Sequence, residues 1–469
     1  MYATLFLLSF FLISSIGFSL GVVADWNVLD HLAMVDRLET SGRLYSGPND
    51  FPTMASSNYF PGLSYIILMM SYVIPDGLMI EAMHLLGILV LVYFLFIQLK
   101  ITQTIHDTER LHFIAFWIFT TVVVLSNWFI YALKFKPDTL AVGIGLTALY
   151  LIEKQQSNHR ITASIVLLSI LVAVPVIFKQ QYIAFIAGYI VFALLQSWKY
   201  RVSAAITALT TILILYHVAS IENAWFWSVT VLADHGLVNL KSWGLEHLKL
   251  LIKLTFVFFI LFSVAGVSAL APLKKPVSFA LDQMKALKQP WAFPLVFASG
   301  ASFLSGLKAG GNVGNTELSI ALLIPFIFII FSKVSQKTSI AMAALCLMIS
   351  IPDAYRGVKN YRQNNEAEAF FMNSSVNKGD LIFTISDMYG VTRNKRNDAG
   401  IHNWHQEILI NKLSDSEIPE FVLANEFDYV ILPNSNFLNT VLIEDDAYRL
   451  IYQNKNLQIL EQKVGKKSE

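Results

Sequence analysis

The strongest constraint on this chain is a succession of apolar runs, 15 to 25 residues long, that fills its first 352 residues. A bilayer's hydrocarbon core takes about 20 mainly apolar residues as a helix. Within it every backbone polar group must be satisfied internally, so such runs become helices. The runs 2–24, 78–99, 111–133, 137–152, 161–178, 182–198, 202–220, 247–271, 291–306, 318–332 and 338–352 therefore predict eleven transmembrane spans. A twelfth apolar stretch, 59–75, opens with Tyr59-Phe60-Pro61-Gly62 and closes at Pro75-Asp76-Gly77.

Charge follows the same division. The chain holds 34 Lys and Arg and 33 Asp and Glu, and 13 of the former and 17 of the latter lie from Asp353 onward. About a quarter of the tail is thus charged, against about a tenth of what precedes it, which splits the chain into a membrane domain, 1–352, and a soluble domain, 353–469. A net charge of +1 gives no electrostatic footprint for nucleic acid. The single cysteine, Cys346, excludes a disulfide framework or a cysteine zinc site within one chain.

The sparse charges also set sidedness. If 59–75 does not cross, the loops 100–110, 153–160, 199–201, 272–290 and 333–337 share one face and carry twelve cations, against seven in the opposite loops. If it does cross, the Lys-rich loop 272–290 moves outside, against the positive-inside rule. Eleven spans follow, with 59–75 re-entrant or surface-lying, the amino terminus cytoplasmic and the tail outside a plasma or inner membrane. Residues 1–24 lack a basic n-region and are longer than a usual signal-peptide core, so they read as an anchor rather than a cleaved leader. In the tail, Leu381–Ile385 and Tyr429–Leu432 read as strands. Segments 358–372 and 403–425 have helical spacing, which makes the tail a small α/β domain capping the outer mouth.

Charged residues near hydrocarbon are costly, so each marks a functional hypothesis. The first outer loop, 25–77, begins with Asp25, Asp30, His31, Asp36, Arg37, Gly42, Arg43 and Tyr45, and Val28, Leu29, Leu32, Val35 and Leu38 recur at helical spacing. That pattern is an amphipathic helix lying on the membrane, with Gly42 placed to end it. Capping and a wet helix face are the plain explanation of its acids. A second outer feature, Lys134-Phe135-Lys136-Pro137-Asp138, heads a span, where Pro137 suits the first turn and Asp138 the positive helix end. A third is Lys179-Gln180-Gln181, where the lysine either snorkels or faces a cavity. Trp225, Trp227 and Trp243 read as an interfacial belt. The turn Gly310–Asn315 lacks a nucleotide-binding spacing.

The order of these pieces resembles the integral-membrane glycosyltransferases of the GT-C superfamily, in particular the dolichyl-phosphate-mannose and aminoarabinose transferases. The resemblance lies in an acidic first outer loop, the Gly42-Arg43-Leu44-Tyr45 ending, the Tyr59-Phe60-Pro61-Gly62 stretch, a second acid in Lys136-Pro137-Asp138, and a soluble outer tail entered at Glu426–Val430. It implies a polytopic all-α membrane bundle of about eleven helices with a small extracytoplasmic α/β domain. It also implies a polyprenyl-phosphate-linked sugar donor, an inverting transfer on the outer face, and a lipid, glycan or protein acceptor.

Under that resemblance the donor phosphate falls to Lys134, Lys136, Lys179, Arg37 and Arg43, with Gln180, Tyr59 and His31 as further substrate contacts. The acceptor hydroxyl needs a carboxylate base. Asp30 lies twelve residues before Gly42, the family's usual spacing, but His31 stands where members often place a second acid, so Asp25 stays open as the base. Asp138 would orient the acceptor or a metal, since some relatives use a divalent cation such as Mg²⁺ or Mn²⁺ and others none. Two other functions fit a polytopic chain. A polysaccharide polymerase or ligase would place its soluble mass between late spans, and a lipid-linked-sugar flippase or transporter would need ionisable groups at mid-membrane, for which Glu81, His84 and Glu222 are the residues to watch.

Overall fold

The structure is a computed structural model that describes residues 2–20, 26–47, 59–75, 78–105, 110–127, 132–133, 135–155, 163–234, 289–306 and 317–333. Beyond these it describes short pieces between 335 and 359, and then 382–384, 422–423, 427–433, 442–443, 447–455 and 457–463. The expected span 247–271 lies outside the described residues, as do most of the tail segments 358–372 and 403–425, while 338–352 is described only in short pieces.

The described part is mostly helical: α1 (Tyr2–Leu20), α2 (Trp26–Ser41), α3 (Gly62–Ser71), α4 (Met79–Ile105), α5 (Arg110–Asn127), α6 (Pro137–Lys154), α7 (Ala163–Ala173), α8 (Tyr182–Leu194), α9 (Trp198–Ser220), α10 (Val231–Asp234), α11 (Ala292–Gly306) and α12 (Glu317–Lys333). Three of these helices are long and apolar enough to cross a membrane, over Tyr2–Leu20, Met79–Gln103 and Trp198–Ser220, and further apolar helices are shorter. α3 has ten residues. At 1.5 Å per residue it rises about 15 Å, half a hydrocarbon thickness.

α9 shows what solvent the bundle is built for. It turns Ser203, Ala204, Thr207 and Thr211 inward and leaves Leu209, Ile212 and Leu213 exposed. Water would favour the reverse, whereas in lipid small and weakly polar residues form the helix–helix contacts. The inward hydroxyls are satisfied: Ser169 and Ser203 share a 2.6 Å hydrogen bond, Tyr189 and Ser203 another of 2.6 Å, and Thr207 donates to the Ser169 carbonyl at 3.0 Å. Around this seam α8 packs against α11 and α9, α7 against α9 and α6, and α12 against α11, α5, α6 and α4.

Local sequence sets the helix ends. Gly42 takes φ +73° just past α2, and its N–H donates to the Leu38 carbonyl at 3.0 Å, as expected of a glycine C-cap. α6 begins with Pro137 in its first turn, preceded by an extended Lys136, and carries Lys154 in its last turn. Pro175 converts the end of the α7 run into a 3₁₀ turn, Val174–Ile177.

In the tail, β1 (Ile382–Thr384), β2 (Tyr429–Pro433), β3 (Tyr448–Gln453) and β4 (Leu457–Gln462) form one sheet in the order β1-β2-β4-β3. β1 pairs parallel to β2, and the β3–β4 hairpin pairs antiparallel through β4, with Val430 opposite Leu460 and Ile431 opposite Ile459. The first two strands match the expected positions. The hairpin was not expected, although the sequence Asn454-Lys455-Asn456 between two apolar runs is a signal for one.

Candidate functional site

Three helix heads, those of α6, α8 and α12, bring charge together in a buried place. Phe135 precedes α6 with φ +47°, a conformation a bulky residue rarely takes, and its ring is buried against Val35, Leu63, Ile67, Met79, Ile80 and Met83. Burying that ring offsets the backbone cost and fixes the direction in which Lys136 and Asp138 leave the turn. Asp138, in the first turn of α6, accepts a 2.7 Å hydrogen bond from Lys179 Nζ, and both side chains are under a tenth exposed. A buried ion pair of this kind holds both partners strictly, because neither charge has water to fall back on.

A second carboxylate stands beside the pair. Glu317 opens α12 and is buried, with Oε2 accepting a long 3.5 Å bond from Thr139 Oγ1 while Oε1 has no hydrogen-bond partner among the described residues. Burial first, and the Asp138 carboxylate second, push its pKa well above the carboxylate range, while Lys179 and Lys136 pull the other way. The hydroxyl of Tyr182, the first residue of α8, donates to the Asp138 backbone carbonyl at 3.0 Å. A narrow cleft lined by Asp138, Gln181, Tyr182, Ala298, Ala301, Ser302 and Leu318 opens beside this group.

The first outer loop reaches the same place through Tyr59 and Gly62. Lys179 Nζ lies 5.0 Å from the centre of the Tyr59 ring, a cation–π distance. The Tyr59 carbonyl accepts from Tyr45 Oη at 2.7 Å and from Ser228 Oγ at 3.0 Å, and Trp227 Nε1 donates to the Ser46 carbonyl at 2.9 Å. A methyl group at Gly62 would meet the Ile177 carbonyl oxygen at 2.8 Å and the Phe178 ring at 2.9 Å, so glycine is what lets this loop press against the turn carrying Lys179.

The other expected residues fall as follows. Asp30 is buried on α2. His31 is fully buried, and its Nδ1 shares a 2.7 Å hydrogen bond with Ser64 Oγ of α3. Desolvation holds its pKa down to about 3, so it is a neutral imidazole that ties α2 to α3. Arg37 is half-buried on α2. Arg43 pairs at 3.4 Å with Glu222, both side chains more than half exposed, which makes it a weak surface pair. Gln180 has its Oε1 buried without a hydrogen-bond partner among the described residues, and Lys136 sits half-buried at the head of α6. Asp25 and Lys134 lie outside the described residues. Of the expected set, therefore, Asp138, Lys179, Tyr59 and Lys136 converge.

Glu317 and Tyr182 were not expected. The signal for Glu317 lies in the sequence, since it is an acid at the head of an apolar run, as Asp138 is. Among the described residues no three His, Cys, Asp or Glu side chains gather to hold a metal ion. Asp138 commits its Oδ1 to Lys179.

No protein-family model and no curated protein matches the chain. Two solved structures do, both of ArnT from Cupriavidus metallidurans. The form bound to undecaprenyl phosphate superposes with a TM-score of 0.59 at 10% identity, over 99% of this chain and 98% of that one. The apo form gives 0.51 at 11% identity, over 98% of each chain. From end to end, then, this chain has the fold seen in those two ArnT structures.

Proposed function

We propose that this protein transfers a sugar from a polyprenyl-phosphate-linked donor to a lipid, glycan or protein acceptor at the outer face of a plasma or inner membrane. In this reading the chain has eleven spans, with a cytoplasmic amino terminus and an extracytoplasmic tail domain. The observation that carries the reading is the buried Lys179–Asp138 pair, held against the first outer loop through Tyr59 at the head of an ArnT-like bundle. One of the matching ArnT structures holds undecaprenyl phosphate, the phosphate-bearing lipid that such a cation would meet.

Each residue then has a task. Lys179, oriented by Asp138, contacts the donor phosphate, with Lys136 and the outer Lys134 adding positive charge. Gln180 and Tyr59 contribute to the walls of the donor site, and Arg37 and Arg43 line the approach from the membrane surface. Asp30, with Asp25 as its rival, takes the proton from the acceptor hydroxyl as that oxygen attacks the anomeric carbon and the phosphate leaves with inversion. Asp138 keeps the acceptor side polar while its Oδ1 fixes Lys179.

A transport reading finds little support among the ionisable groups it would need. Glu222 is paired on the surface with Arg43, Glu81 lies in the first turn of α4, and His84 Nδ1 bonds the Leu133 carbonyl at 3.2 Å. The test is an assay in membrane vesicles with a radiolabelled polyprenyl phosphate sugar. Transfer of label to an acceptor, abolished in Asp30→Ala at unchanged expression, is the expected result. Full transfer by Asp30→Ala removes Asp30 from the role of base, and translocation without transfer overturns the enzyme reading.

A further inference from the structure

The connection between α9 and α10 meets the first outer loop at four places. His217, in the last turn of α9, shares a 2.8 Å hydrogen bond with Tyr65 Oη of α3, and Glu222 pairs with Arg43 at 3.4 Å. Beyond Asn223, which takes φ +62°, the chain winds into a π-helical turn, Phe226–Thr230, in which the adjacent residues Trp227 and Ser228 are both fully buried. Such turns are rare and recur at functional sites. Trp227 Nε1 donates to the Ser46 carbonyl at 2.9 Å, and Ser228 Oγ donates to the Tyr59 carbonyl at 3.0 Å. Neighbouring side chains of one turn thus catch the backbone at both ends of the stretch from Ser46 to Tyr59. The first two contacts lie at the surface, whereas the indole and hydroxyl contacts lie inside.

The Tyr59 carbonyl is where this clamp acts on the site. A carbonyl oxygen has two lone pairs, and here Ser228 Oγ takes one and Tyr45 Oη, at 2.7 Å, the other. Tyr45 and Ser228 are both fully buried, so a bond lost by either is not replaced by one to water. The next residue, Phe60, is also fully buried, and the proline after it restricts its backbone. With its peptide held in this way, Tyr59 places its ring 5.0 Å from Lys179 Nζ, the ammonium that Asp138 Oδ1 binds at 2.7 Å. Resting on the donor reading above, we propose that Ser228 and Tyr45 are positioning residues for the donor: by filling both acceptor positions of the Tyr59 carbonyl they keep the Tyr59 ring on Lys179, and so hold the ammonium where a lipid phosphate meets it. Neither hydroxyl touches the phosphate. Both act by reducing what donor binding has to order.

The experiment measures the Kd of undecaprenyl phosphate for the full chain in lipid nanodiscs, through a cycle of variants. Ser228→Ala and Tyr45→Phe each delete one hydroxyl and keep the shape of the site. Each should raise the Kd about fivefold, the effect of one lost hydrogen bond. Tyr59→Ala removes the ring but leaves the carbonyl, and by itself should raise the Kd about tenfold. In the Tyr59→Ala background the two hydroxyl deletions should raise it no further, because the ring through which they act is gone. A merely structural role would carry the same rise into that background. Equal rises in both backgrounds, or an unchanged Kd in both hydroxyl variants, overturn the inference and leave the donor reading standing. An unmodified protein that does not bind undecaprenyl phosphate overturns the donor reading as well. The two hydroxyls are deleted separately and melting in the same nanodiscs reports folding, so one unfolded variant leaves the other to decide.

Discussion

Lys179 and Asp138 are each useful only because the other is there. Both side chains are buried, so removing one leaves the other's charge without its hydrogen-bonded counter-ion. Such a loss costs about 3–5 kcal/mol, whereas replacing both by apolar residues of similar volume is often neutral. Lys179→Met and Asp138→Leu should therefore each lower the melting temperature in detergent sharply, and the double variant should recover most of it while staying inactive in sugar transfer. A double variant as unstable as either single one would show that the pair is not the unit. His31 makes a second residue-scale prediction. Its pKa is about 6.5 in an unfolded chain and about 3 in this one. The unfolded state thus binds a proton between those values that the folded state refuses, so stability is full above about pH 6.5 and is lost as pH falls toward 3. At pH 5 this amounts to about 2 kcal/mol. Melting curves of the unmodified protein should fall from pH 7 to 5 by more than those of His31→Asn, and parallel curves would remove His31 as the cause.

Among the elements, α3 and the turn before α8 carry the geometry. α3 is tied to α2 through the His31–Ser64 bond and through Val35, Leu63 and Ile67 in a shared apolar cluster. Its first residue, Gly62, lies against Ile177 and Phe178, next to Lys179. A displacement of α3 would therefore be felt at the phosphate-binding lysine, and shifts of about 1 Å at a catalytic centre can cost about 10²-fold in rate. Gly62→Val should reduce transfer by about that factor at normal membrane levels, with the Asp138–Lys179 pair still formed. Vesicle assays normalised to protein amount check this, and undiminished transfer would place α3 outside the machinery. The β3–β4 hairpin is a contrasting element: Arg449 Nε meets Glu461 Oε2 at 2.7 Å on its outer face, an exposed bond whose loss should cost under about 1 kcal/mol.

For the whole molecule, sidedness is the prediction that charge alone supports. The loop around Lys199 and Arg201 should lie in the cytoplasm, and the tail with its β3–β4 hairpin outside. Cys346 is the single native thiol, so in a Cys346→Ser background a cysteine introduced at Asn454 should react with an impermeant maleimide on intact cells. One introduced at Ser197 should react only after lysis. The opposite pattern would invert the topology and move the Lys179–Asp138 site to the cytoplasmic face.

Much of this protein could be read directly from its sequence. Apolar runs and the charge-poor first 352 residues determined a helical membrane bundle, because hydrocarbon admits no unsatisfied backbone, and Gly42 and Pro137 marked their helix ends by local conformational preference alone. Val- and Ile-rich runs at 381–385 and 429–432 named two strands for the same local reason. What sequence could not supply was which loops meet. Lys179 and Asp138 are 41 positions apart and Glu317 is 178 from Thr139. No periodicity links them, since their neighbourhood is made by helices packing on helices. The same holds for His31, expected as a substrate contact, whose burial against Ser64 makes it neutral. Residue type and spacing set what each segment can become, and only tertiary packing decided which charges are buried and which are paired.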